Sequence, residues 1–574
     1  MTSNPEPASG NLRSEKIWWI GLLAATAANC AFQIAWFWRF RAHNIIMDGM
    51  AYIGLARHLV DGNFKASLHG YWSPLISWLI AACALFSRNF TLLGRLVTIA
   101  SFLACLPLLY LLTKTLSRSR VAAALAVFWF SLARGVVEES VGSIIADFLL
   151  TACVLLYFLL LLEALRRNRR TSWLALGAAH ALALLAKAIA MPWLAISTVV
   201  AVLVVNARSS AFRKDRWRRL AASLLLAFTI PAAVWLGWGF TLRTKYGQFT
   251  TGYQLRANLR TNWTRKLSHR LRGDSLAFVD TSSLYDEYMV PETSWTELQS
   301  FNIRRAGMLT MLLEAEIRNI PAAIKEVVIL LTPGGVLALA AMLLLLLRER
   351  SAYPAEVVFT GIALLNALSL IAAYCMLVFD NRYVVPIIPV LIAISCPVLL
   401  PAKLAPATPH AASWLRKTTL ALLIASTIFL TVYWASPFRT VDRDFEVSCY
   451  QAADLLRNAG PHGTLVSVGN GPYPEHGVGF EAGPYIAYLA GWHEVAGNSE
   501  LPDANGADEV VSKILAAKSD AVAVWGFPSN PAYRDIAEKI QRGAFVASAS
   551  KITDPYKGEV GTLVVLRTVA PKAD

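Results

Sequence analysis

Four acids and two cations in this sequence stand where apolar runs meet polar residues, the position from which a side chain can work at a membrane surface. Asp48 opens "MDGMAYIGLARHLVDGN" (47–63), which reads as a short amphipathic helix closing on Asp61-Gly62. Asp48 and Tyr52 are spaced i, i+4 and share one face of it, and Gly62 suits a helix C-cap. An acid in a first helical turn can also simply complement the helix dipole. Glu138, Glu139 and Asp147 lie in "ARGVVEESVGSIIADFLL" (133–150), the first two in a very short turn, Asp147 about one turn inside the next helix. A carboxylate at that depth costs roughly 2.5–3.5 kcal/mol on insertion scales, so it is expected to face a cavity or a partner, or to stay solvated at the interface.

The cations complement these acids. Lys187 sits near a turn between two apolar runs, where it can snorkel to the interface or serve as a point charge for a phosphate. Arg382, in "FDNRYVVPIIPV" (379–390), offers a fork of donors suited to phosphate, although Asp380 could pair with it, and Tyr383 adds a hydroxyl. Acids and cations ringing one interfacial cavity suit transfer from a lipid phosphate to a hydroxyl. An acid accepts the acceptor's proton, and cations stabilise the negative charge growing on the leaving phosphate.

The elements that must position these residues are membrane helices. The chain has 574 residues, 56% hydrophobic and 16% charged, with apolar runs of about 20 residues recurring along it. The first run, "IWWIGLLAATAANCAFQIAWFW", is too long for a signal-peptide core and lacks a small-residue cleavage site, so it reads as retained. Eleven spanning helices are expected, at about 17–38, 91–113, 120–137, 143–165, 171–187, 189–207, 219–241, 325–347, 355–378, 383–401 and 415–436. The net charge of +15 reads as the positive-inside bias of membrane loops, and no nucleic-acid motif accompanies it. The basic clusters at 114–120, 166–170, 208–219, 348–350 and 402–417 fall on one side only if the N-terminus is inside and the C-terminus outside. The 16-residue run 71–86 must then be juxtamembrane or re-entrant, because a crossing there would move two clusters outside. In this topology Asp48, the 138–147 acids, Lys187 and Arg382 share the outer interface.

The domains expected are a disordered cytoplasmic segment, 1–16, a transmembrane domain, 17–436, and an external α/β domain, 437–574. The transmembrane domain carries a first external loop, 39–90, and a long one, 242–324. The tail alternates helices near 446–459, 506–517 and 531–541 with strands 464–468, 520–525, "AFVASAS" and "TLVVLRT". The long loop holds Tyr246, Tyr253, Trp263, Tyr285, Tyr288 and Trp295 beside Arg256, Arg260, Arg265 and Lys266. These can stack on sugars and bind anions, or anchor at the interface. Asp286 and Glu287 in the same loop read as solvated. The Gly- and Pro-rich stretch 469–491 reads as an ordered loop and lacks the strand-to-helix context of a phosphate-binding glycine motif. Of the seven cysteines, Cys30, Cys83, Cys105, Cys153, Cys375 and Cys396 lie in or beside apolar runs and Cys449 in the tail, and they form neither a disulfide framework nor a CxxC metal site.

The ordered motifs resemble those of the GT-C integral membrane glycosyltransferases, in particular the protein O-mannosyltransferase and lipid A aminoarabinose transferase (PMT/ArnT-like) families. The matching residues are Asp48-Gly49-x-x-Tyr52, "ARHLVDGNF", "YWSPLISWLIAA", an acid near the start of the fourth helix, Trp-Leu-x-x-Gly to Leu-Leu-x-Lys (173–187), and Arg-Tyr-x-x-Pro-x-x-Pro (382–389). The resemblance implies a polyprenyl-phosphate sugar donor, an inverting transfer to a glycan, lipid or protein hydroxyl, and a site facing the periplasm of a plasma (inner) membrane. It puts Asp48 in place of the first-loop catalytic acid and Asp147, or Glu138 or Glu139, in place of the second. Lys187, Arg382 and Tyr383 fall where relatives contact donor phosphate, and Tyr52, Tyr71 and Trp263 are the expected substrate contacts. The Asp-Glu pair of the mannosyltransferases is Asp48-Gly49 here. Some relatives bind a divalent cation near the first acid; no ligand spacing stands out here, and no metal is expected as obligatory. A lipid-linked sugar transporter or flippase would place charges in mid-helix and show inverted repeats, and a non-catalytic assembly protein would keep the fold without the activity.

Overall fold

The computed structural model describes residues 9–38, 47–132, 143–207, 213–252, 254–256, 259, 277–278, 308–348, 354–376, 381–399, 421, 425, 443–460, 462–468, 486–487, 490, 492–498, 507–516, 519–525, 531–542, 546–554 and 558–566. They fall into two compact units. One comprises Met1–Ala42, Leu55–Leu259 and Arg304–Ser436, the other His43–Gly54, Arg260–Ile303 and Pro437–Asp574.

In the first unit, α1 (Ser9–Phe37) starts earlier than the expected 17. Helix α2 (Met47–Val60) contains the boundary between the units and ends on Gly62, whose φ of 79° is the left-handed conformation a C-cap glycine supplies. Helix α3 (Leu75–Cys83) has nine residues. At about 1.5 Å per residue it is too short to cross about 30 Å of hydrocarbon, as the charge-parity argument requires. Then come α4 (Phe90–Ser117), α5 (Arg120–Leu132), α6 (Asp147–Arg167), α7 (Arg170–Ala186), α8 (Ala190–Ala207) and α9 (Arg213–Tyr246). They are followed by α10 (Met308–Arg348), α11 (Pro354–Met376), a 3-10 turn (Asn381–Val384) and α12 (Ile388–Leu399). Seven of the described helices are long and apolar enough to cross a membrane. Of the expected span 415–436 only Ala421 and Ala425, both helical, are among the described residues.

Local chemistry sets the helix ends. Asn89 caps α4, its side chain accepting the Leu92 N–H at 3.0 Å. Asn168 ends α6 in a left-handed conformation, φ 47°, and its Oδ1 accepts the Trp173 Nε1–H at 2.9 Å, tying the α6–α7 hairpin. Gly177 of α7 lets α9 approach, because a Cβ there would lie 2.5 Å from the Ala227 carbonyl oxygen.

Two expected spans are not single straight helices. The run 325–347 is interrupted at Thr332 (φ 63°, ψ 156°), within α10. Proline at 333 disfavours helical backbone in the residue before it, and the Gly335 N–H donates to Thr332 Oγ1 at 3.3 Å. Thr332 and Pro333 thus act as N-cap and first residue of a new helix. The run 383–401 is a 3-10 turn followed by a 12-residue helix.

One end of this unit is pinned by Arg166 near the end of α6. Its Nη2 donates to the Thr115 carbonyl near the end of α4, at 2.9 Å, and to Glu356 Oε1 at the start of α11, at 2.6 Å. Three basic-flanked helix ends therefore lie together.

The second unit is an α/β domain. Its strands β1 (Ala277–Phe278), β2 (Thr464–Val468), β3 (His493–Asn498), β4 (Ala521–Trp525), β5 (Val546–Asp554) and β6 (Gly558–Leu566) form one sheet in the order β1-β3-β2-β4-β6-β5. Strands β3, β2 and β4 run parallel, and the other pairings are antiparallel. Alternate strand residues bury on opposite faces. Leu465, Ala521, Ala523 and Leu563 pack with Cys449, Ala452 and Leu456 of α13 (Arg443–Ala459). Val466, Val522, Val524 and Val564 pack with Ile514 of α14 (Ala507–Ala516) and with Tyr533 and Ile536 of α15 (Pro531–Gln541). The expected helices and strands of the tail all form. Strands β1, lent by the long loop, and β3 were not anticipated.

Candidate active site

Asp147 and Lys187 meet directly. Asp147 is the first residue of α6, not one turn inside it. Lys187 follows α7 immediately, in extended backbone (φ −157°, ψ 125°), while its N–H still donates to the Ala183 carbonyl at 2.9 Å. Because α6 and α7 form a hairpin, the start of one lies beside the end of the other. Lys187 Nζ donates to Asp147 Oδ1 at 2.6 Å, and the two side chains are only 10% and 3% exposed.

Aromatic rings cover the ammonium. Tyr383 of the 3-10 turn and Tyr374 near the end of α11 are stacked, with centroids 4.1 Å apart and planes 19° from parallel. Lys187 Nζ lies 4.5 Å from the Tyr383 centroid and 5.8 Å from that of Tyr374, within cation–π range. The Arg382 guanidinium carbon stands 5.5 Å from the Tyr383 ring. Asn319 of α10 donates to the Cys375 carbonyl at 2.9 Å, satisfying a terminal carbonyl of α11 beside Tyr374.

The segment before α3 is held to the same unit. His69 Nδ1 accepts the backbone N–H of Tyr71 at 3.1 Å and of Trp72 at 3.3 Å. The Gly70 N–H donates to the Tyr246 hydroxyl at 3.1 Å, and Lys245 Nζ donates to the Leu68 carbonyl at 2.8 Å. Ser73 Oγ accepts the N–H of Ala188, the residue after Lys187, at 3.0 Å. Tyr71 is half-buried and edge-on to Trp72. Tyr246, expected within the long loop, is the last residue of α9, and its hydroxyl accepts the Gly70 N–H.

Of the expected site residues, the structure therefore gathers Asp147, Lys187, Arg382 and Tyr383, with Ser73 linking the Tyr71 segment to the residue after Lys187. Asp48 and Tyr52 belong to the second unit, Asp48 half-buried in the first turn of α2 and Tyr52 buried. Glu138, Glu139, Asp380, Tyr253 and Trp263 lie outside the described residues. Among the described residues no group of three or more His, Cys, Asp or Glu is placed to hold a metal ion.

Sequence reasoning missed Tyr374 and Arg95. Tyr374 is one aromatic in an apolar run, and only packing brings it to Lys187. Arg95 carried a usable signal: it is the only charged residue between Phe90 and Thr113, and it is 1% exposed. A buried guanidinium in a membrane helix is a functional candidate by its cost alone.

Comparison with known proteins agrees with this architecture. Residues 71–235 match the family model described as dolichyl-phosphate-mannose-protein mannosyltransferase. No curated protein matches significantly. Two solved structures of ArnT from Cupriavidus metallidurans are similar in fold, each with a TM-score of 0.51 at 13% identity. The apo structure is matched over 95% of this chain and 97% of that one, and the structure bound to undecaprenyl phosphate over 97% and 98%. The polytopic helical architecture with its C-terminal α/β domain is thus a shared fold.

Proposed function

From a chain similar to the PMT/ArnT-like GT-C membrane glycosyltransferases, we propose an enzyme that moves a sugar from a polyprenyl-phosphate donor to an acceptor hydroxyl on the periplasmic face of the inner membrane. The observation that carries this reading is the buried Asp147–Lys187 pair under the Tyr374–Tyr383 stack, with Arg382 beside it. One ArnT structure holds undecaprenyl phosphate, and a lipid phosphate is the ligand such a cationic group suits.

In this reading Lys187 and Arg382 hold the donor phosphate. The acceptor oxygen forms a bond to the anomeric carbon as the bond from that carbon to the phosphate oxygen breaks. Attack from the side opposite the leaving group inverts the centre. Asp48 takes the acceptor's proton as the new bond forms. The departing lipid passes from phosphodiester monoanion to phosphate monoester, so negative charge grows where the two cations stand. Asp147 holds the ammonium in place, and Tyr383 with Tyr374 shields it from water. Tyr52, Tyr71 and Trp263 are assigned to sugar or acceptor contacts, and Glu138 and Glu139 are further candidates for the second acid. The basic-flanked ends joined by Arg166 support a cytoplasmic assignment for that end, with the N-terminus inside and residues 437–574 in the periplasm.

The test is transfer from a radiolabelled polyprenyl-phosphate sugar by the purified chain in proteoliposomes. Asp48→Asn should lower turnover by about 10²–10⁴-fold, the usual contribution of a positioned base. Full turnover in that variant removes the base assignment. Movement of the labelled lipid across the bilayer without transfer would identify a flippase instead.

A further inference from the structure

The N-terminal half of the helix that carries Asp48 belongs to the same unit as residues 437–574, and we infer that Met50 is a positioning residue through which residues 437–574 hold Asp48 in place. This rests on the assignment of Asp48 as proton acceptor.

Residues His43–Gly54 belong to the same compact unit as the C-terminal domain, although nearly 400 residues separate them in sequence. Met50 is 4% exposed. It belongs to the apolar cluster on one face of the sheet, with Cys449 and Leu456 of α13, Ile486, Trp492, and Trp525 of β4. Methionine suits such a place, since its unbranched chain fills an irregular gap between elements. Two residues on a helix are separated by about 200°. Burying Met50 in this cluster therefore turns Asp48 to the other side of α2. A helix of 14 residues has little stability of its own in water. The position of Asp48 is then set by what α2 packs against, and at its N-terminal end that is the soluble domain. The tail acquires a role in turnover that needs no contact with the donor.

Steady-state transfer by the full chain tests this. Met50→Ala should lower kcat by about 10²-fold, the scale set by a misplacement of about 1 Å. KM for the donor and retention of undecaprenyl phosphate by the purified protein should stay at the wild-type value, because the proposed phosphate ligands lie in the other unit. Met50→Leu, which nearly conserves volume, should restore kcat to within about threefold. Asp48→Asn combined with Met50→Ala should be no slower than Asp48→Asn alone, since both act through one proton transfer. Where the alanine variant does not fold, Met50→Val removes less volume and should lower kcat about tenfold under the same criteria. The inference is overturned if these variants keep wild-type kcat while Asp48→Asn is inactive, if their loss adds in full to that of Asp48→Asn, or if they weaken lipid binding instead. Full activity in Asp48→Asn would instead remove the base assignment, and the inference with it.

Discussion

The Asp147–Lys187 pair gives a prediction whose magnitude follows from its geometry. At 2.6 Å and an effective dielectric near 20, two unit charges attract by about 6 kcal/mol. Removing each ion from water costs several kcal/mol, so the pair as a whole contributes little net stability. Breaking it is another matter. Lys187→Met strands a carboxylate that is 3% exposed and should destabilise the chain by about 3–5 kcal/mol. Asp147→Asn strands an ammonium, but Tyr383 at 4.5 Å offsets part of that loss, by up to about 2 kcal/mol when desolvated. The lysine variant should therefore be the less stable of the two. The double variant Asp147→Asn/Lys187→Met buries no charge and should return to within about 1–2 kcal/mol of the parent. Thermal unfolding in detergent, followed by tryptophan fluorescence, measures all four corners of the cycle. Transfer should behave differently: Lys187→Met should lose about 10²–10³-fold in turnover, and the double variant should not recover it. Recovery of both stability and turnover would refute a role for the ammonium in the reaction, and additive single effects would refute the pairing itself.

Three further outcomes follow from the proposed mechanism and from the packing. Under the proposed mechanism Asp48→Asn should lower turnover by about 10²–10⁴-fold and leave lipid binding intact, read by turnover against undecaprenyl phosphate retention. Tyr383→Ala removes a stacked ring and the closer cation–π face, each worth about 0.5–2 kcal/mol, and should lower both melting temperature and affinity for the lipid phosphate. Gly177→Ala places a Cβ 2.5 Å from the Ala227 carbonyl oxygen, a backbone atom that cannot swing aside. It should destabilise by about 1–3 kcal/mol, seen as a lower melting temperature with KM unchanged.

Much of the fold was legible because membrane helices and amphipathic soluble helices write themselves in composition and period. Helix α15, for example, was expected at 531–541 and found at Pro531–Gln541. Charge parity kept 71–86 from being read as a crossing, and a nine-residue α3 agrees. What was missed depended on local breaks and on packing. Thr332-Pro333 carries a visible cap-and-proline signal, but an uninterrupted apolar run masked it. Strand β3, "HEVAGN", lacks alternating apolar residues, so only its pairing with β2 reveals it. In the site, residue types and helix ends pointed to Asp147, Lys187 and Arg382 separately. That Lys187 sits on Asp147 rather than in solvent, and under Tyr374, depends on the α6–α7 hairpin and on α11, which no single segment encodes.

The corner at Thr332 also sets a register. A straight rod of the 41 residues in α10 would reach about 61 Å, twice the hydrocarbon thickness. The bend divides that length between a stretch that can serve as part of a crossing and a bracket whose Asn319 latches onto the last turn of α11. One added or deleted residue between Asn319 and Thr332 would swing the amide by about 100° around its axis. The latch would then miss Cys375, and the shelf of rings above Lys187 would lose the support that α10 lends to the end of α11.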